Sequence, residues 1–415
     1  MVAAGLPAGA GQQNDEWTID TQSLAFFTHN ELSLSDDLLL TVGARWTREE
    51  KEMRATIDAD QPACEAIRNN QDAVYAALLF QYTNQQGGAF SSIAQPLADG
   101  IPSALLLTCN PAVNDVQDGT YSESLSDEAI SGTASLAYHL NDDVMIYGGY
   151  SRGYKSGGFN IDRSGMNVTP WTETGGVLTP YAQDVVDYLA SVGAPLPTTA
   201  FGAGDLDFEP ETVDAYELGV KSTVIDGATI NAAAFYQQLH DYQLNAFNGF
   251  NFITRNVPEV ISQGIELEVA ASPSDALQLT FGVLYLDVYY DSTVAFGRNP
   301  TDRVNSGDPL SQSPEFTVTG SLNYTRPVSD ALVANFYLNG RYVTDYRLQT
   351  LGRNAASDQE AFAIFDTRVG LGTPDGDWSL DLFVRNVTDE YYSIGAFAVP
   401  EQSLFSSTTA ENEGR

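Results

Sequence analysis

Apolar and polar residues alternate with a period of two through most of the chain. In 316–324 (FTVTGSLNY), Phe316, Val318, Leu322 and Tyr324 share one face and Thr317, Thr319, Ser321 and Asn323 the other. In 332–342, Leu332, Ala334, Phe336, Leu338 and Tyr342 oppose Asn335, Tyr337, Asn339 and Arg341. In 215–222, Tyr216, Leu218 and Val220 oppose Glu217 and Lys221, and in 378–386 Trp378, Leu380, Leu382 and Val384 oppose Ser379, Asp381 and Arg385. A helix would scatter these positions around its axis, whereas a strand sends them to opposite faces of a sheet. About twelve strands follow: 22–33, 38–50, 126–140, 144–156, 212–224, 228–244, 260–272, 277–291, 314–326, 332–347, 361–372 and 378–392.

The connections come in two lengths, and they alternate. Short turns lie at 35–37, 141–143, 226–227, 273–276, 329–331 and 374–377, built from Asp, Asn, Gly and Ser, the residues of tight hairpins. Longer segments lie between them, at 55–123, 158–211, 245–259, 292–313 and 349–360. Short turns at one rim and long loops at the other predict an antiparallel meander with two unlike ends, the layout of an outer-membrane barrel. Many of the strands exceed the roughly 9–11 residues needed to cross hydrocarbon, so they should project beyond the bilayer on the loop side. Trp46, Tyr138, Tyr324, Tyr342 and Trp378 stand near strand ends on apolar faces, as an interfacial girdle would. Turns every 8–12 residues, as in an immunoglobulin-like sandwich, are absent, and so is a fixed 20–50-residue repeat.

Composition narrows the function. The 415 residues carry 19 Lys+Arg against 55 Asp+Glu, a net charge of -36, which argues against a nucleic-acid partner. Tyr (21) and Phe (20) are too many for an acidic disordered chain. No run of 18 apolar residues predicts a transmembrane helix. The N-terminus lacks the basic region and apolar core of a signal peptide, so Met1 reads as a start inside a longer protein. His29, His139 and His240 lie on separate strands and predict no metal site; no cofactor and no nucleophile–base constellation is expected, hence no enzyme.

One stretch tests the alternative of a phosphate cradle. In YGGYSRGYKSGGFN (147–160), Gly148 and Gly153 have the P-loop spacing, but Tyr154 stands where the lysine belongs and Lys155 and Ser156 come one residue late. The stretch reads instead as a strand leaving the turn at 141–143, with Lys155, Gly157 and Gly158 at the rim where the chain breaks into a loop.

That stretch resembles a segment of TonB-dependent outer-membrane receptors. So do LLLTVGARWTREEKE (38–52), FEPETVDAYELGVKS (208–222), ITRNVPEVISQGIELEVAASPS (253–274) and DLFVRNVTDEYYSIGAF (381–397), in matching order and over nearly the whole chain. The iron-complex (siderophore) receptor type is the nearest. The resemblance implies an all-β, antiparallel up-and-down transmembrane β-barrel, here a part of it, with about twelve strands of an expected 22 and long extracellular loops. It implies residence in the outer membrane of a Gram-negative bacterium and uptake of a scarce ligand, a ferric siderophore first, with TonB acting through a plug region that this chain does not display. Residues 22–400 would form the barrel portion, 1–21 a partial loop or strand remnant, and 401–415 a truncated loop. A plug-less passive porin is the alternative function, and a soluble β-sandwich adhesin the third.

Several residues are candidates for chemistry. Tyr121, Trp171, Tyr181, Phe247, Phe250, Phe252 and Arg255 are loop aromatics and a cation that are candidates to contact a ligand, though any single one of them more readily packs a loop core or sits at the bilayer interface. Cys64 and Cys109 share the longest loop of an otherwise cysteine-free chain, and a disulfide is favoured over two free thiols. Residues 66–82 and 181–192 have near-helical apolar spacing and predict short amphipathic helices. Loop carboxylates, among them Asp58, Asp60, Asp115, Asp118, Asp205 and Asp207, should repel polyanions and favour a neutral or weakly charged ligand.

Overall fold

The computed structural model describes residues 14–58, 119–161, 206–247, 252–296, 303–351, 357–398 and 409–413. Twelve strands form one sheet: β1 (Glu16–Ser33), β2 (Leu38–Ile57), β3 (Gly119–Asn141), β4 (Val144–Lys155), β5 (Glu211–Ser222), β6 (Ala228–Phe247), β7 (Phe252–Ser274), β8 (Leu277–Tyr290), β9 (Phe316–Ser329), β10 (Leu332–Val343), β11 (Phe362–Gly372) and β12 (Ser379–Val384). Each pairs antiparallel with the next, so the sheet is an up-and-down meander. Among the described residues β1 and β12 are its two open edges. The expected turns hold, two of them around glycines that only a left-handed backbone suits, Gly227 (φ 70) and Gly376 (φ 79).

Two expectations need correction. Residues 245–259 do not form a long loop: β6 and β7 stay paired up to Phe247 opposite Phe252. The cause is Asp241, whose φ of 52 breaks strict alternation, so that Leu239 and Tyr242 both reach the same apolar cluster. The last strand of this sheet stops at Val384 and not near 392; Ser393–Ala398 pairs separately with Thr409–Glu413. Asn386 and Asp389 take left-handed backbone (φ 48 and 51), and the Asn386 side chain bonds the backbone N–H and C=O of Glu390, which closes a turn.

The sheet's two faces differ as the alternation requires. On one face large apolar side chains lie open: Leu380 is 73% and Leu382 75% exposed. That much uncovered apolar surface would drive aggregation in water and is favourable in lipid. The other face is polar. Tyr147 donates to Glu217 at 2.6 Å, Asn335 to Asn323 at 2.7 Å, and Thr280 and Ser321 share a hydrogen bond of 2.6 Å. Arg368 lies 5.7 Å from the Tyr337 ring centre.

The bilayer boundary can be read from the apolar face. Aromatic pairs run along its loop-side edge: Phe26–Trp46 with ring centres 6.0 Å apart, Tyr150–Tyr216 at 5.1 Å, Tyr216–Tyr236 at 6.5 Å and Tyr285–Phe316 at 4.9 Å. One pleat further out the same face turns charged: Arg48 follows Trp46, Arg152 follows Tyr150 and Asp287 follows Tyr285. Arg48 pairs with Glu50 at 2.6 Å, and Arg152 with Asp214 at 3.0 Å. Tyr138, Tyr324 and Trp378 stand at the turn-side edge. On β2 the apolar stretch from Leu38 to Trp46 is about 26 Å along the strand, hence about 20 Å of height at a tilt near 40°, close to the roughly 25 Å of an outer-membrane apolar band.

Candidate functional site

Beyond the aromatic edge the long strands carry the structured end of the molecule. Here the usual inside-out rule is restored, because water and not lipid surrounds it. Met53, Ala55 and Ile57 at the top of β2 are buried with Phe159 and Leu206, and Trp17, Tyr121 and Leu125 pack against them. A second apolar cluster unites Leu244 and Ala246 of β6, Ile253, Val257 and Val260 of β7, Val288 and Tyr290 of β8, and Phe296, Val304 and Leu351 from the following connections.

Polar side chains lace these clusters together. Lys51 forms an ion pair with Glu49 at 2.9 Å and donates to Ser156 and to the Gly157 carbonyl. Asp127 accepts from the Gly157 N–H at 2.9 Å. Residues 158–159 pair with 207–208, so the end of the glycine-rich stretch is tied down and does not break into a loop at once. Gly157 is required there by space: a Cβ would stand 2.5 Å from the Phe208 carbonyl oxygen. The amides continue the lacing. Gln243 donates to the carbonyls of Ser156 and Glu209, Asn160 to those of Leu206 and Thr254, and Asn256 to those of Glu209 and Asp241.

At the second cluster a cleft of about 190 Å³ opens between the β6–β7 hairpin end and residues 311–312 and 348–351. Its lining includes Asn245, Phe252, Ser311, Gln312, Gln349 and Thr350. Beside it Asp308 meets Arg347 at 3.3 Å. Burial pushes the Asp308 carboxyl up, but the side-chain and backbone N–H groups of Asn305 and the Arg347 guanidinium outweigh it and hold the carboxyl below its ordinary range. No group of His, Cys, Asp and Glu among the described residues could hold a metal ion.

The residues singled out from sequence fall in different places. Tyr121 packs in the first cluster. Phe252, half exposed, lines the cleft, and the Phe247 backbone pairs with it. Arg255 donates to the Ala295 carbonyl at 3.0 Å. Tyr121 is therefore not brought together with Phe252 and Arg255. Trp171, Tyr181, Phe250, Cys64, Cys109 and the two expected helices lie outside the described residues. Sequence reasoning missed Glu49, Lys51, Asp127, Asn160, Gln243, Asn256 and Gln349. The one signal available was amides interrupting apolar alternation at the loop-side strand ends.

Comparisons with known proteins agree with this geometry. Residues 3–387 match the family model described as TonB dependent receptor-like, beta-barrel. Similar solved structures include the ferric yersiniabactin uptake receptor of Yersinia pestis, at 14% identity and TM-score 0.61, covering 97% of this chain and 45% of that one. The ferric-catecholate import receptor of E. coli K12 in its closed form has 15% identity and TM-score 0.54, covering 96% and 44%. A copper transporter has 12% identity and TM-score 0.51, covering 95% and 47%. At these identities the likeness is one of fold, and this chain spans less than half the length of each.

Proposed function

The chain belongs to the TonB-dependent receptor β-barrel family, and we propose that it supplies wall and ligand-facing rim to an energised uptake receptor. It sits in the outer membrane of a Gram-negative bacterium. The observation that carries the proposal is the laced loop-side rim. A passive pore needs only a wall, whereas capture needs groups held in place before the ligand arrives. The rim has two apolar clusters, a Lys51–Glu49–Ser156 knot and a cleft beside Phe252.

In this reading the polar inner face forms a wet passage and the rim holds the ligand above it. TonB would act through a plug region inside the complete barrel. A ferric siderophore is the first cargo to consider, since two of the similar receptors are named for ferric siderophores. The third is named for copper, so the shared fold does not choose the cargo. Tyr121, Phe247, Phe252 and Arg255, with Trp171, Tyr181 and Phe250, are proposed as rim residues near the ligand, and Cys64–Cys109 as a bridge within its longest loop. The chain is read as a transport receptor, with no reaction of its own.

The test is growth of a strain deleted for the complete receptor, under iron limitation, with a panel of siderophores as sole iron source. Loss of growth on one or a few ferric chelates, restored by the wild-type gene, supports the proposal. Undiminished use of every chelate, with lost uptake of a glycan or a cobalamin, would remove iron and leave the receptor.

A further inference from the structure

We propose that the cleft between the β6–β7 hairpin end and residues 311–312 and 348–351 binds an uncharged, amide- or hydroxyl-bearing group of the ligand. The proposal rests on reading the loop-side rim as ligand-facing. The lining supplies the argument. The described lining includes the side-chain amides of Asn245, Gln312 and Gln349, with the Asn245 amide N–H donating to Thr254 at 3.0 Å, and the hydroxyls of Ser311 and Thr350; none of these carries a formal charge. The Ser311 and Thr350 hydroxyls lie 2.9 Å apart in one hydrogen bond, and each retains capacity to accept another. Gln349 lines the cleft and is only 8% exposed, so it does not stand in open solvent. Phe252, 50% exposed, gives one apolar wall suited to the C–H face of a sugar or the chain of a hydroxamate.

The cleft is also held open in advance. Gln312 adopts a left-handed backbone (φ 58), and its N–H donates to the Arg347 carbonyl at 2.7 Å, fixing 311–312 against 347–351. A non-glycine residue in that region is strained, and strain of this kind persists where the surroundings impose it. Arg347 itself is occupied by Asp308 at 3.3 Å. An anionic arm entering the cleft would lose its hydration and find no cation among the described lining residues, which is costly. The chain's net charge of -36 adds repulsion. At about 190 Å³ the cleft is smaller than a typical pocket of roughly 300–1,000 Å³, so it takes one arm or ring and not a whole chelate.

Two sources share this chemistry, a neutral hydroxamate chelate and a glycan. Binding to the purified full-length receptor in detergent is measured by calorimetry with three probes: a neutral ferric trihydroxamate, a highly anionic ferric tricatecholate and a neutral maltooligosaccharide. The variants are Gln349→Leu and Thr350→Val for the polar lining, with Phe252→Ala for the apolar wall. The expected result is that at least one neutral probe binds, and that each variant weakens it about threefold to tenfold, the worth of one hydrogen bond or a modest apolar contact. Sensitivity of the oligosaccharide alone keeps the cleft and removes the iron reading. Binding of the trihydroxamate unaffected by all three variants keeps uptake and removes the cleft. Tighter binding of the tricatecholate than of either neutral probe, or binding of none, overturns the proposal.

Discussion

At the residue scale, close approach and charge pairing can be tested one side chain at a time. Gly157→Ala puts a methyl 2.5 Å from a backbone oxygen that cannot swing away, so the lacing around Ser156 must shift. We expect a loss of about 1–3 kcal/mol in the urea unfolding of the full receptor; an unchanged midpoint would show that residues 157 and 208 are not in contact. Asp308 gives a pH dependence. Its carboxyl titrates lower when folded than when unfolded, so its contribution is present above the unfolded value of about 3.9 and is lost as pH falls through the folded value. Hydrogen-exchange protection of residues 303–313 should therefore fall as the pH drops below about 4 in the wild type, and more weakly in Asp308→Asn. Equal acid sensitivity in both would assign the effect to other groups. The lacing residues were illegible in sequence because their partners are remote: Lys51 and Ser156 are 105 positions apart, and Asn160 and Thr254 are 94.

At the element scale, strand faces carry the account. Leu322 pairs with Leu279 and Leu338 on the apolar face, and its neighbour Asn323 is bonded to Asn335 on the polar one. Leu322→Arg should cost about 2–4 kcal/mol of folding free energy in bilayers, and Asn323→Arg much less. Equal costs would mean that both faces meet the same medium. This two-faced pattern was legible because alternation is a local property, and all twelve strands of the sheet were found from it. The hairpin at 245–259 was missed for the converse reason. Tyr242, Leu244 and Ala246 alternate with Gln243 and Asn245, but out of phase with Leu239, and only Asp241's φ of 52 joins the two phases. The early end of β12 likewise depends on a turn closed by the Asn386 side chain, which a period count does not register.

At the scale of the whole molecule, the central claim is orientation: an apolar band crosses the outer membrane, short turns lie inside, and the laced rim lies outside. The cleft and its ligand depend on that orientation, since a rim facing the periplasm could capture nothing from the medium. Asp291 is exposed at the loop-side end of the chain leaving β8, and Asp375 is exposed in the turn between β11 and β12. In the full-length receptor with Cys64 and Cys109 replaced by Ser, Asp291→Cys and Asp375→Cys are each exposed to a membrane-impermeant maleimide on intact cells. The account predicts labelling at 291 in intact cells and at 375 only after the outer membrane is permeabilised; labelling at 375 in intact cells, with 291 protected, would contradict it.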